Sequence, residues 1–136
     1  MDALEGIAAA DAHLGRPVPL PGTPLPLARW VEVEAGDRGA VEVSWNLDDS
    51  RPGAPGRLAL AVARAPLPTQ LPDAAPEDIL IADRPAAHRT APLEQAQPSL
   101  RPVHELSWEA DGLHLRLTGQ GPWSVEELVR IAASVG

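Results

Sequence analysis

Cysteine, lysine, phenylalanine and tyrosine are all absent from this chain of 136 residues, and each absence removes chemistry. Without thiols there is no disulfide, no thiolate nucleophile and no zinc–sulfur site. Without lysine there is no Schiff base and no phosphate loop of the lysine-dependent kind, and without tyrosine there is no phenolic acid. All 11 basic residues are arginine, scattered from Arg16 to Arg130, and 19 acidic residues outweigh them to give a formal net charge of −8. That balance argues against duplex nucleic acid and anionic membrane surfaces as partners, because both are held by clustered cations. The N-terminus lacks a basic start followed by an apolar segment, and no run approaches the roughly 20 apolar residues of a membrane span. The expectation is a soluble protein, cytoplasmic if Met1 is the true start.

What is present is clearest near the C-terminus. Asp111-Gly112 is a pair favoured in tight hairpin turns that need positive φ at both central residues. The turn sets a register: Ala110 faces Leu113, Glu109 faces His114, Trp108 faces Leu115, Ser107 faces Arg116 and Leu106 faces Leu117. Leu106, Trp108, Leu115 and Leu117 then share a covered face, while Ser107, Glu109, His114 and Arg116 share a face expected to be solvated. Downstream, Ser124 and Glu127 form a capping box, and Trp123 and Leu128 a hydrophobic staple. Leu128, Ile131, Ala132 and Val135 recur at helical spacing, and Gly136 is the expected stop.

These positions resemble the C-terminal part of an uncharacterised bacterial domain found in anti-sigma-associated and membrane-anchored proteins. The residues that carry the resemblance are Leu106-Ser107-Trp108, Gly112, Leu115-Arg116-Leu117, Gly119 and the helix Ser124 to Ser134, about the last quarter of the chain. They are structural residues, so the resemblance implies a fold and says almost nothing of activity. Two features depart from that pattern: no membrane anchor precedes the block, and His114 or Leu115 stands where an aromatic residue is expected.

The remainder reads as one domain over residues 1–136: a helix in 1–15, a proline-rich strap in 16–27, and the sheet with its C-terminal helix in 28–136. Asp2 to about Leu14 has a capping pair in Asp2 and Glu5, with Leu4, Ile7, Ala8 and Leu14 roughly on one face and Gly15 as the stop. Pro17, Pro19, Pro21, Pro24 and Pro26 make the next stretch extended, and Val18, Leu20, Leu25 and Leu27 tie it to the fold. Trp30 to Glu34, Ala40 to Trp45, Leu58 to Arg64 and Ile79 to Ile81 alternate as strands do. Residues 66–76 read as an ordered loop. Residues 82–102 are polar and proline-punctuated, and for Ala91 to Gln97 both a helical turn and a strand remain open. The expected class is α+β: an antiparallel sheet of about five to seven strands with an N-terminal and a C-terminal helix packed on one face. A secretion-chaperone-like order of helix, strands, helix, strands and helix is the alternative architecture, which the chain also resembles in size and charge.

No constellation of catalytic residues stands out. His13, His88, His104 and His114 are dispersed, and the hairpin register puts His104 and His114 on opposite faces, so the two cannot share one ion. Glu109 opposite His114 is an alternative polar site, read first as a cross-strand ion pair. Asp48-Asp49-Ser50 lacks the spacing of a calcium loop, and no serine sits in a Gly-x-Ser-x-Gly elbow. Glu32, Glu34 and Glu42 fall on the outward side of the first strands, where some registers oppose like charges unless Arg57, Arg64 or Arg116 reaches across. Trp30 shares their parity, and is expected either to be covered by another element such as the N-terminal helix or to stand exposed as an interface anchor. Trp30, Glu32, Glu34 and Glu42 therefore form the expected binding surface of a non-catalytic protein-binding or regulatory domain. It would engage another protein or itself as a homodimer, without cofactor or metal. A small metal-assisted hydrolase using His104, His114 and nearby carboxylates, and a carrier of an apolar ligand between sheet and helix, are the alternatives.

Overall fold

The computed structural model describes residues 2–3, 7–22, 30–36, 39–46, 57–72, 74–91, 103–120 and 123–135. In chain order the elements are β1 (Asp2–Ala3), α1 (Ile7–Leu14), β2 (Trp30–Ala35), β3 (Val41–Asn46), β4 (Arg57–Ala63), β5 (Glu77–Ile81), β6 (Arg84–Ala91), β7 (Val103–Ala110), β8 (Leu113–Gln120) and α2 (Val125–Ala133). The strands form a single sheet in the order β1-β2-β3-β4-β8-β7-β6-β5, and every neighbouring pair is antiparallel. The expected α+β class is what the structure shows, with seven strands of ordinary length and the two-residue β1. No helix among the described residues is long and apolar enough to cross a membrane.

Alternation decides which side of the sheet is dry. Val33, Val41, Val43, Leu58, Leu60, Val62, Leu106, Leu115 and Leu117 point one way and join Ala10 and Leu14 of α1 and Leu128, Ile131 and Ala132 of α2 in one core cluster. Leu58, Leu60, Leu106, Leu117 and Leu128 are wholly inaccessible to solvent. Burial of each side chain contributes roughly 1.5–3 kcal/mol.

The β7–β8 hairpin has the register its turn dictates, from Ala110↔Leu113 to Leu106↔Leu117. Asp111 and Gly112 supply the turn with φ of 53° and 78°. The capping box of α2 is complete: Ser124 Oγ accepts from the Glu127 amide at 3.1 Å, and the Ser124 amide donates to Glu127 Oε1 at 3.3 Å. Staple and sheet meet at Gly119, where a Cβ would lie 2.8 Å from a Leu128 methyl and 3.1 Å from the Trp123 ring. Only glycine lets the helix settle that close. Ser134 is the C-cap of α2; Gly136 lies outside the described residues.

The N-terminal expectation needs correction. Asp2 and Ala3 pair with Ala35 and Glu34 as β1, so the helix starts at Ile7 rather than Asp2. Hydrogen bonds to the open edge of β2 hold this end in place of a helical first turn. The inward side of α1 is Ala10 and Leu14, one turn apart, and Ala8 is exposed. Over 17–22 the proline strap contains no helix and Pro21 bridges to Val135, while Pro24, Leu25, Pro26 and Leu27 lie outside the described residues. Val18 is buried, its amide donates to Asp11 Oδ1 at 2.8 Å, and the Gly22 amide reaches Ser134 O at 2.9 Å, joining the strap to the end of α2.

Two elements were illegible in the sequence. β6 emerges from the undecided stretch, after a two-residue turn at Ala82 and Asp83 with φ of 48° and 68°. Alanine carries no turn signal, since left-handed backbone costs it about 1–2 kcal/mol. Residues 92–97 lie outside the described residues. The second element is the connection 64–76. An even number of antiparallel steps separates β4 from β5, so the two run in the same direction, and the connection must return along the sheet while passing over β8, β7 and β6. It does so on the face opposite the helices, and that face becomes the site.

Candidate functional site

The register lines up residues across the sheet on this second face. One row runs Glu34, Glu42, Ala61, Arg116, Ser107, Ala87 and Asp78. The next runs Ser44, Ala59, Thr118, Glu105 and Arg89. The like-charge opposition that the sequence threatened is real, because Glu34 stands directly opposite Glu42. Ala61 makes the remedy possible: it is small enough for Arg116 to reach over it, and Arg116 Nη2 lies 3.4 Å from Glu42 Oε2. Arg57 Nη2 completes the cluster at 3.0 Å from Glu42 Oε1 and 2.7 Å from Ser44 Oγ. Arg64, the third cation considered, instead donates to Gly15 O on the helix side.

Glu42 is consequently not a solvated docking residue. It is 8% exposed, as is Arg116, and Ser44 is 1% exposed. The solvated face expected of Ser107, Glu109, His114 and Arg116 is corrected in the same way, with Arg116 buried and Ser107 half-buried. The crossover causes the burial. Arg116 Nη1 donates to Pro68 O at 2.6 Å from β8, Glu105 of β7 accepts from Thr69 Oγ1 and the Gln70 amide at 2.7 Å each, and Arg89 Nε of β6 donates to Ala74 O at 3.3 Å. Successive strands thus each grip the segment passing over them. Glu105 is fully buried, and its charge is met by two hydrogen bonds and by Arg89 at 3.9 Å, in keeping with the rule that a buried carboxylate is bonded or paired. Arg116 Nε has no acceptor among the described residues.

Two hollows flank the start of the crossover. The larger, about 820 Å³, has Pro66 and Leu67 on one wall and Asp78, Arg84, Ala87, Ser107, Glu109 and His114 among its lining. The smaller, about 510 Å³, lies over Ala61 and Ala63 with Glu42 and Arg116 at its base. Glu109 and His114 do come together, with Nδ1 3.4 Å from Oε1, while Glu109 remains largely exposed. Such a pair orients an imidazole; at this exposure it contributes about 0.2–1 kcal/mol. Of Trp30 and Glu32 the structure describes the backbone alone, in the outer part of β2; Glu34 is half-buried beside them. Asp48-Asp49-Ser50 falls outside the described residues, and no group of three or more metal-binding side chains occurs among those described.

The helix-covered face holds one polar feature the sequence did not reveal. His88 Nε2 and His104 Nδ1 are 3.0 Å apart. The ring centres are 5.3 Å apart with planes tilted by only 22°. The separation exceeds the nitrogen contact by about one ring width, so the imidazoles lie end to end and share a hydrogen bond instead of stacking face to face. Glu77 Oε1 sits 3.9 Å from the other nitrogen of His88. Burial, and secondarily the His88 charge, hold the His104 pKa below the ordinary imidazole value. His104 lies opposite Thr90 and His88 opposite Leu106, a diagonal relation that appears only once β6 is known to be a strand.

The sheet also has two open margins. Among the described residues β5 has a partner on one side only, and β1 covers just the Glu34–Ala35 end of β2. Leu80 of β5, at 63% exposure, is the exposed large hydrophobic side chain of the described structure. The chain matches no known family, no curated protein and no solved structure.

Proposed function

We propose that this is a non-catalytic protein-binding domain that takes an extended, basic segment of a partner along the free edge of β5. The observation that carries the reading is Leu80, exposed on a strand that has a partner on one side only among the described residues and whose exposed neighbours Glu77 and Asp78 are acidic. Strand addition draws affinity from main-chain hydrogen bonds and specificity from alternate side chains. On the crossover face an added strand would meet Asp78 and Leu80 beside the larger hollow, and on the helix face Glu77 and Ile79. That pattern suits alternating cationic and apolar residues, as does the net charge of −8. The outer half of β2, with Trp30, Glu32 and Glu34, supports a second reading as the dock. Glu42 contributes to neither, being occupied by arginines.

The test is amide NMR mapping of an alternating lysine–valine octapeptide. Saturable shifts at 77–81 and 84–88 that vanish in Leu80→Lys are expected. Shifts centred on 30–35 would move the dock to β2, and the absence of saturable binding would overturn the reading.

A further inference from the structure

Glu77 belongs to two environments. It belongs to β5, whose outer side has no partner strand among the described residues, and its largely exposed carboxylate is also the group that faces the buried His88 at 3.9 Å. His88 in turn shares a hydrogen bond with His104. A linear contact between two imidazole nitrogens accommodates one proton; protons on both facing nitrogens repel. In the neutral pair one ring donates and the other accepts. A further proton entering from water leaves the shared bond intact on either ring. With Nε2–H of His88 donating to His104 Nδ1, the Nδ1–H of His88 faces Glu77, the carboxylate described beside the pair. His104 resists the charge, being partly buried and next to His88.

The surroundings leave Glu77 as the sole described counter-charge. β6 and β7 contribute the two histidines themselves. The α2 helix, which packs against β5, β7 and β8 on this face, turns Leu128, Ile131 and Ala132 inward and leaves Glu126, Glu127 and Arg130 exposed. Arg89 and Glu105 lie on the opposite face of the sheet.

We infer that the His88–His104 pair regulates docking at the β5 edge: uptake of one proton draws the Glu77 carboxylate onto His88 and withdraws it from a basic partner. This rests on the strand-addition reading above. Linkage makes the effect reciprocal, so a bound cation at Glu77 disfavours protonation of the pair by the same factor that protonation weakens binding. A partly exposed ion pair sets the scale, about two- to five-fold in affinity.

The experiment is titration of the fluorescently labelled lysine–valine octapeptide at pH 8 and pH 5.5 with the wild type, His88→Gln, Glu77→Gln and Leu80→Lys, each checked for a native circular dichroism spectrum. The wild type should bind about two- to five-fold more weakly at pH 5.5. His88→Gln should bind at pH 8 with little change at pH 5.5, and Glu77→Gln should bind weakly at both. If Leu80→Lys binds as the wild type does, or nothing binds at either pH, the docking reading itself fails and the regulation with it. Edge binding whose pH dependence persists in His88→Gln leaves docking intact and overturns the regulation alone.

Discussion

The two faces of this sheet are buried by opposite means. Under the helices, leucines, valines and Ile81 from six strands interlock with α1 and α2, and burial needs no partner more specific than the right volume. On the other face, the buried groups are Glu42, Ser44, Glu105 and Arg116, and each is held by a named hydrogen-bond partner from the crossover or from a neighbouring strand. The first face is tolerant and the second particular, which teaches that strand alternation reports side and not solvent. An outward-facing glutamate in a sequence is solvated only when nothing crosses over it.

The comparison breaks most sharply at Arg116. Arg116→Met should cost about 3–5 kcal/mol, because Glu42 is left charged and dry with Arg57 alone. Glu42→Leu combined with Arg116→Met should recover much of that loss, as replacing both partners of a buried pair often does. Urea unfolding of the two variants checks the pair, and a double variant no more stable than the single one would show that the polar face cannot be made apolar. Leu117→Ala, on the other face, should cost about 2–5 kcal/mol without any rescuing partner.

Smaller effects sharpen the contrast. The His104 pKa is lowered in the folded state, so unfolded chains bind this proton more readily. Its contribution to stability is therefore complete above the ordinary imidazole value of 6.5 and is lost as pH falls below it. A melting temperature that falls less between pH 7.5 and 5.5 in His104→Gln than in the wild type is the expected result. Ser124→Ala should remove the cap and cost about 1 kcal/mol. His114→Ala should change stability by less than about 1 kcal/mol, since its partner Glu109 is in water; a larger loss would mean that the hollow beside it is structural.

Legibility followed the range of the interactions. Asp111-Gly112 and Ser124 to Glu127 act within four residues of themselves, and register and cap both came out as written in the sequence. The apolar parity of β2, β3, β4, β7 and β8 was equally plain, because period two needs no knowledge of topology. The need for a cation at Glu42 was visible, and Arg57 and Arg116 were among those foreseen, yet the burial of the cluster was not. That depended on a crossover whose course is fixed by strand order, which no local pattern encodes. β6 was hidden by an alanine in a turn that favours glycine, and with β6 went the partnership of His88 and His104, 16 positions apart. The edge at β5 was unreadable for the same reason, since an edge is a property of the whole sheet.

The order of the chain adds a consequence for biosynthesis. Thr69 and Gln70 find their acceptor at Glu105, Pro68 its donor at Arg116, and Ala74 its donor at Arg89, so every one of these partners is translated after the segment it holds. An emerging polypeptide can close the β2–β3–β4 meander at once, but the crossover must wait, wet and untied, until β8 has left the ribosome. The polar face cannot dry before the last strand of the sheet has been made.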